Sequence, residues 1–431
     1  MPSADHVGRH RTRTSDAHSA IQRPIVSMKP GWIEDLLLID PELGNSGGHY
    51  QSYADTLRRA CGQLGIGFSA LGGRGSTAPA FDPINARFVP QWLGGALVNP
   101  FLGGWRMERQ IRAHANARVS SRTLVFAATA NHRHYAALGR WLENIDEQMA
   151  PKLSVLLRFP QYDSRRGRWY ATAHLTRRGL ASLGRAARRR DIRLVADSEG
   201  LAAEYRQLTT LPVTALPIPH MLSERRPRPQ PGRITRIGYF GEARREKGFE
   251  CLVQAIEILG KADHCTPFEL VVQSYVRAGF EEQGAAAACA RLGTARFANV
   301  RVLEGSLDTQ RFYDEFLACD AVLMPYVVER YRTRNSGVFA DALAAGIAVV
   351  VTRGTWMQEQ LAQGFGAGLT IPEGDAAALA GAIVEIAQRR EEMTQDARAS
   401  AANWCELHDP VGFVGALADL FGFEAVTADT V

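Results

Sequence analysis

Short apolar runs, each ended by a small polar loop and followed by a helical repeat, recur on both sides of one proline-rich segment. Leu36-Leu-Leu-Ile39 runs into Pro41-Glu-Leu-Gly-Asn-Ser-Gly-Gly48. Tyr53, Leu57, Ala60 and Leu64 then share one face of a helix over 50–64. Further strand-length runs stand at Thr123–Ala127, Leu153–Leu157, Ile192–Ala196 and Val213–Leu216, with Ser198 placed to cap a helix over 199–208. After Pro227-Arg-Pro-Gln-Pro-Gly232 the alternation restarts. Strands are predicted at Ile234–Phe240, Phe268–Gln273, Val300–Leu303, Ala321–Pro325 and Val349–Thr352. Helices are predicted over 248–259, 309–318, 375–390, 391–402 and 410–422. Strand–loop–helix alternation folds as a doubly wound parallel sheet, and a proline-rich break between two such series reads as a linker.

The chain is therefore expected to be α/β, with two Rossmann-like domains over 29–218 and 234–402 joined by a linker over 219–233. Residues 1–28 are polar, basic and aperiodic and read as a disordered leader. Residues 403–431 read as a helical tail packing back on the first domain. Two such domains facing each other leave a cleft between the carboxyl ends of two sheets, where ligands bind in folds of this class.

Bulk composition removes several classes. Hydrophobic residues make up 46% and charged residues 22%, the balance of a globular chain. No apolar run reaches the roughly 18–20 residues of a membrane span. No apolar signal core follows the first charges, so a cytoplasmic location is expected. The six cysteines are scattered, with no C-x-x-C spacing, which favours reduced thiols over a disulfide framework or a zinc site. Charge is uneven: residues 1–215 hold 29 Lys+Arg against 17 Asp+Glu, and the remainder is acidic. The basic half suits an anionic lipid surface or an anionic acceptor, and a solvated basic face accounts for it equally. Trp105-Arg106…Arg112 and Arg165-Arg-Gly-Arg-Trp169 mix aromatic and basic groups, which suits peripheral contact with a membrane or a glycan. No RNA or DNA motif is present, and no nucleic-acid partner is expected.

Two loops of the second domain have the makeup of anion sites. In Gly241-Glu-Ala-Arg-Arg-Glu-Lys-Gly248 a strand leads in and a helix leads out, so Arg244, Arg245 and Lys247 can reach an anion at the helix mouth. The pattern is not a P-loop. In Arg332-Thr-Arg-Asn-Ser-Gly-Val-Phe-Ala-Asp-Ala-Leu-Ala-Ala-Gly346, Ser336-Gly337 open a helix and Asp341 lies one turn inside. Free amides suit phosphate and a carboxylate suits ribose hydroxyls, the two needs of a nucleoside diphosphate. Each loop alone also reads as an ordinary capped helix.

Together these segments resemble the retaining GT-B glycosyltransferases of family 4 (glycosyl transferases group 1). Gly241…Lys247-Gly248 is similar to their G-R-x-x-x-x-K-G segment, Ser336–Gly346 to the end of their E-x7-E motif, and Ala321-Val-Leu-Met-Pro-Tyr326 to the strand before it. The resemblance implies the GT-B fold and transfer of a sugar from a nucleoside diphosphate sugar to a glycan or lipid-linked acceptor, with retention. The nucleotide sugar is a substrate, and no cofactor or metal is implied. Lys247, Arg244 and the amides of Ser336, Gly337 and Val338 would hold the diphosphate, and Asp341 the ribose. Gly305-Ser-Leu307 would frame the base. Gly47 and Gly48 would approach the donor, and His132 or His134, within Asn131-His-Arg-His134, would serve catalysis.

Two positions depart from the pattern. Glu242 replaces the usual arginine, and Thr333 replaces the first acid of E-x7-E, with Glu329 four residues earlier. A catalytically altered protein, either a nucleotide-sugar epimerase or a nucleotide- or glycan-binding module, is the alternative these departures keep open.

Overall fold

In the computed structural model the described residues are 33–43, 49–73, 81–84, 95–220, 234–261, 267–276, 283–294 and 299–422. The expected leader, most of the expected linker, and Gly47 and Gly48 lie outside them. The strands are β1 Asp35–Asp40, β2 Gly67–Gly73, β3 Phe81–Ile84, β4 Thr123–Ala127, β5 Lys152–Leu157, β6 Tyr162–Asp163, β7 Arg168–Trp169, β8 Ile192–Ala196 and β9 Val213–Ala215, then β10 Thr235–Tyr239, β11 Phe268–Ser274, β12 Val300–Glu304, β13 Ala321–Met324, β14 Ala348–Thr352 and β15 Gly368–Ile371. One sheet runs β3-β2-β1-β4-β5-β8-β9 and the other β12-β11-β10-β13-β14-β15, all neighbours parallel. Strands β6 and β7 pair antiparallel as a small hairpin.

Helices cover both faces of each sheet. In the first domain they are α1 His49–Gln63, α2 Gly95–Ala115, α3 His132–Asn144, α4 Ala173–Ala186 and α5 Glu199–Arg206. In the second they are α6 Phe249–Leu259, α7 Gln283–Thr294, α8 Thr309–Leu317, α9 Val328–Tyr331, α10 Gly337–Ala345, α11 Trp356–Ala362, α12 Ala376–Gln388 and α13 Arg390–Leu407, and α14 Pro410–Asp419 follows. Two-sided cover explains why the strands read as unbroken apolar runs. On β1, Leu37 and Ile39 join the core that also takes Trp141 of α3 and Leu180 of α4, while Leu36 and Leu38 join Leu57 of α1. Strand β11 divides in the same way, Leu270 and Val272 toward α6 and α12 and Val271 toward α10.

The last helix crosses back. Phe413, Val414 and Leu417 of α14 sit in the first domain's core, and Phe413 meets Phe126 of β4 edge-on at 5.6 Å. The Arg193 Nε donates to the Leu420 carbonyl at 2.8 Å. Upstream of it, Trp404 of α13 is fully buried among Phe339, Trp356, Phe365 and His408. This one ring holds α10, α11 and α13 together under the second sheet. We expect Trp404→Ala to lower unfolding free energy by about 3–5 kcal/mol, as for other large core truncations. Urea denaturation checks it, and a loss under 1 kcal/mol (about a fifth of the upper value) would show that the ring is not the keystone of that face.

Candidate functional site

The second sheet delivers its functional loops from the carboxyl ends of β10, β11 and β13. After β10 the chain turns at Gly241 (φ +112°) and again at Gly248 (φ +68°), angles that favour glycine. Lys247 folds back across Gly241: a Cβ there would stand 2.5 Å from its Nζ. Burial, and next the charge of Arg244, pull the Lys247 ammonium down to about 8. Arg244 pairs with Glu242 and, at 3.5 Å, with Glu246. Glu242, the residue out of pattern, thus holds the guanidinium that the sequence offered in its stead. Arg330 and Arg334 each reach Glu246 at 3.9 Å, so cations outnumber acids around this loop.

Gln273, at the end of β11, ties two loops together. Its Oε1 accepts the Gly241 N–H at 2.8 Å and its Nε2 donates to the Gly305 carbonyl at 3.2 Å. Opposite, Ser336 caps α10: its Oγ accepts the Phe339 N–H at 3.3 Å, and its carbonyl accepts from the Ala340 amide at 3.0 Å. The amides of Gly337 and Val338 are left as the first-turn donors, while the Val338 side chain belongs to the core. Asp341 is buried within α10, its carboxyl hydrogen-bonded by Tyr313. Its Oδ2 has no partner among the described residues. Burial pushes this carboxyl up to about 7.

Thr333 faces the other way. Its Oγ1 donates to Glu204 Oε1 at 2.9 Å, and its carbonyl accepts from the Ser198 hydroxyl, both on the first domain. Gly200 makes room for it, since a Cβ there would lie 2.8 Å from Thr333 Cγ2. Glu329, the nearest acid upstream, accepts from the Tyr170 hydroxyl at 3.3 Å and pairs with Arg165 at 3.9 Å. Arg165 also pairs with Glu373. Thr333, at the first position of the E-x7-E motif, and Glu329, the acid nearest to it upstream, are therefore both engaged in a seam between the domains. Glu204, Gln273 and Tyr313 escaped the sequence reading, because single polar residues inside apolar or helical runs carry no motif.

The histidines divide. His134 is buried, and its Nδ1 accepts the Asn131 N–H at 3.1 Å while Asn131 caps the same turn. Burial, then Arg133, lowers it to about 3. It serves as a helix-capping residue. His132 borders a cavity of about 250 Å³ with Phe159, Gln161, Thr176 and Tyr205. Burial lowers it to about 4, so it is neutral at pH 7. Among the described residues no three His, Cys, Asp or Glu side chains are grouped to hold a metal ion, and no helix is long and apolar enough to cross a membrane.

The Asp341 environment has a measurable consequence. Its carboxyl is raised above its unfolded value, so the folded state keeps a proton that the unfolded chain releases as pH climbs from about 4 to about 7. Stability from this group is present at low pH and lost across that window. We expect Asp341→Asn to gain stability relative to the parent chain between pH 5 and pH 7 in urea titrations, and a pH-independent difference would refute it.

Residues 234–389 match the family described as Glycosyl transferases group 1. No curated protein sequence matches the chain. Among solved structures, Anabaena HepE in complex with UDP is 16% identical, with 89% of this chain and 98% of that one covered and a TM-score of 0.62. A UDP-forming α,α-trehalose-phosphate synthase from Burkholderia xenovorans is 14% identical, covering 92% and 100%, with a TM-score of 0.66. The same kind of synthase in complex with glucose-6-phosphate is 12% identical, covering 90% and 100%, at 0.65. The chain thus has the two-domain GT-B fold of glycosyltransferases, and its second domain carries the sequence signature of the group 1 family.

Proposed function

We propose that this protein is a glycosyltransferase that moves a sugar from a nucleoside diphosphate sugar to a hydroxyl of a glycan or lipid-linked acceptor. The observation that carries the reading is that Lys247, the first turn of α10 and Asp341, whose Oδ2 has no partner among the described residues, lie at one edge of the second sheet. Lys247 and the Gly337 and Val338 amides take the diphosphate, with Arg244 held beside them. Asp341 takes the ribose hydroxyls, and the Gly305 loop frames the base. When the bond from the anomeric carbon to the phosphate oxygen breaks, charge builds on the departing diphosphate. An ammonium and helix amides already in place lower the energy of that state.

The acceptor enters from the first domain, beside His132. Retention at the anomeric carbon, and independence from metal, belong to this reading through the family resemblance. Uridine is the base we assign, since HepE and the trehalose-phosphate synthase are described with UDP or as UDP-forming. For a lipid-linked acceptor, the exposed Trp105 with Arg109 over its ring, on α2, is the surface we assign to peripheral membrane contact. The engagement of Thr333 in the domain seam supports a second reading, a protein that binds the nucleotide sugar without transferring it.

Calorimetric titration with UDP, GDP and ADP tests the donor site. We expect UDP to bind, and Lys247→Ala and Asp341→Ala each to weaken it about tenfold or more, the worth of one charge-assisted hydrogen bond. Near pH 8, binding should take up protons, because an anion beside Lys247 raises an ammonium now near 8. Lys247→Met should abolish that uptake. No affinity for any of the three nucleotides would end the transferase reading, and binding with no turnover across acceptors would favour the second one.

A further inference from the structure

Four polar groups gather at the carboxyl edge of the first sheet. Asp40 ends β1, Asp197 follows β8, Arg158 follows β5, and Tyr53 stands on α1 above them. Asp40 is 1% exposed and Asp197 5%. Asp40 Oδ1 does structural work, accepting the Thr129 hydroxyl and, at 3.0 Å, the Glu42 amide. Its Oδ2 has no hydrogen-bond partner among the described residues, nor has the Tyr53 hydroxyl, and the Asp197 oxygens have none there beyond the residue's own backbone amide. The Arg158 Nε lies 4.0 Å from Asp197 Oδ2, too far for a hydrogen bond. Asp197 does not cap α5 either, because Ser198 does that, accepting the Leu201 amide at 3.1 Å.

The surroundings select the chemistry of what would satisfy these atoms. Two carboxylates repel an anion. The Arg158 and Arg334 charges acting on Asp197 disfavour a cation. What remains is a neutral group rich in O–H donors, which carboxylates bind well. The location agrees, since the next residue, Ser198, touches Thr333 across the domain seam.

We infer that Asp40, Tyr53, Arg158 and Asp197 form a subsite for an uncharged polyhydroxyl group, the hydroxyl-rich end of a sugar acceptor, with Asp197 as its principal hydrogen-bond acceptor. Only the word acceptor rests on the transferase reading. The subsite favours a neutral sugar over a sugar phosphate. Burial pushes the Asp197 carboxyl up to about 7, so the chain carries a group that is costly to fold.

The test uses the full chain and its Asp197→Asn variant, which keeps shape and removes the charge. Saturation-transfer NMR measures binding of methyl glucoside, methyl galactoside and methyl mannoside, with glucose 6-phosphate as the anionic counterpart. We expect at least one methyl glycoside to bind the parent chain in preference to the sugar phosphate. The variant should bind it about tenfold or more weakly. Its thermal midpoint should be unchanged or raised, and its UDP affinity unchanged. Equal glycoside binding by the variant would overturn the proposal. So would binding of the sugar phosphate alone, of no probe at all, or a lowered thermal midpoint in the variant. A chain that binds glycoside through Asp197 but not UDP would keep the subsite and remove the transferase reading.

Discussion

The edge of the second sheet that carries Lys247 and α10 depends on one backbone contact. Gly248 sits against Pro325 at the end of β13 so closely that a Cβ would fall 1.9 Å from the Pro325 carbonyl oxygen. Only glycine fits, for reasons of space and of its left-handed φ. That contact seats the loop from β10 directly on the strand that leads to α10. The backbone contact thereby sets the spacing between Lys247 and the first turn of α10. Gln273 fixes the same loop from its other side through the Gly241 amide. Fixed dipoles and charges of this kind stabilise developing charge best, because they need no reorganisation when it appears.

The segment from Glu329 to Thr333 links that edge to the other domain. It leads into α10, and its side chains reach Arg165, Tyr170 and Glu204, while its Thr333 carbonyl reaches Ser198. The start of α10 and the domain seam are thus joined through one short segment. Substitution of an acid by Thr333 has a physical sense here. A carboxylate at that position would meet Glu204 across the seam, two like charges with little water between them. Threonine supplies a donor in place of a second acceptor.

Much of the architecture was legible because the strands are buried on both faces and read as apolar runs. What escaped the reading was shaped by packing across the chain. Strand β2, Gly-Phe-Ser-Ala-Leu-Gly-Gly, has three glycines and little strand propensity, and it forms because β1 pairs along it. Helix α4 is masked by arginines and by glycines that let it press on α3. A Cβ at Gly179 would lie 2.5 Å from the His132 carbonyl oxygen, and one at Gly139 would lie 2.6 Å from Ser182 Oγ. At the site, the glycine loop and the Ser336–Asp341 helix were readable from local spacing. The different surroundings of His132 and His134 were not, because two residues along one helix turn separate a cavity wall from a cap.

Asp341 and Asp197 make the same argument from opposite domains. Each stands buried at the carboxyl side of its sheet, each carries at least one oxygen with no side-chain hydrogen bond among the described residues, and each is raised to about 7 by burial. An asparagine or an apolar group of similar volume would cost less to bury at either place. Folding alone therefore does not account for them, and sites where local stability is given up are where ligands are met. Between them run Arg334, whose charge reaches Asp197, and Thr333, whose carbonyl binds the residue after it. On the proposed reading, a nucleotide held at Asp341 and a separate hydroxyl-rich acceptor held at Asp197 would face each other along that line.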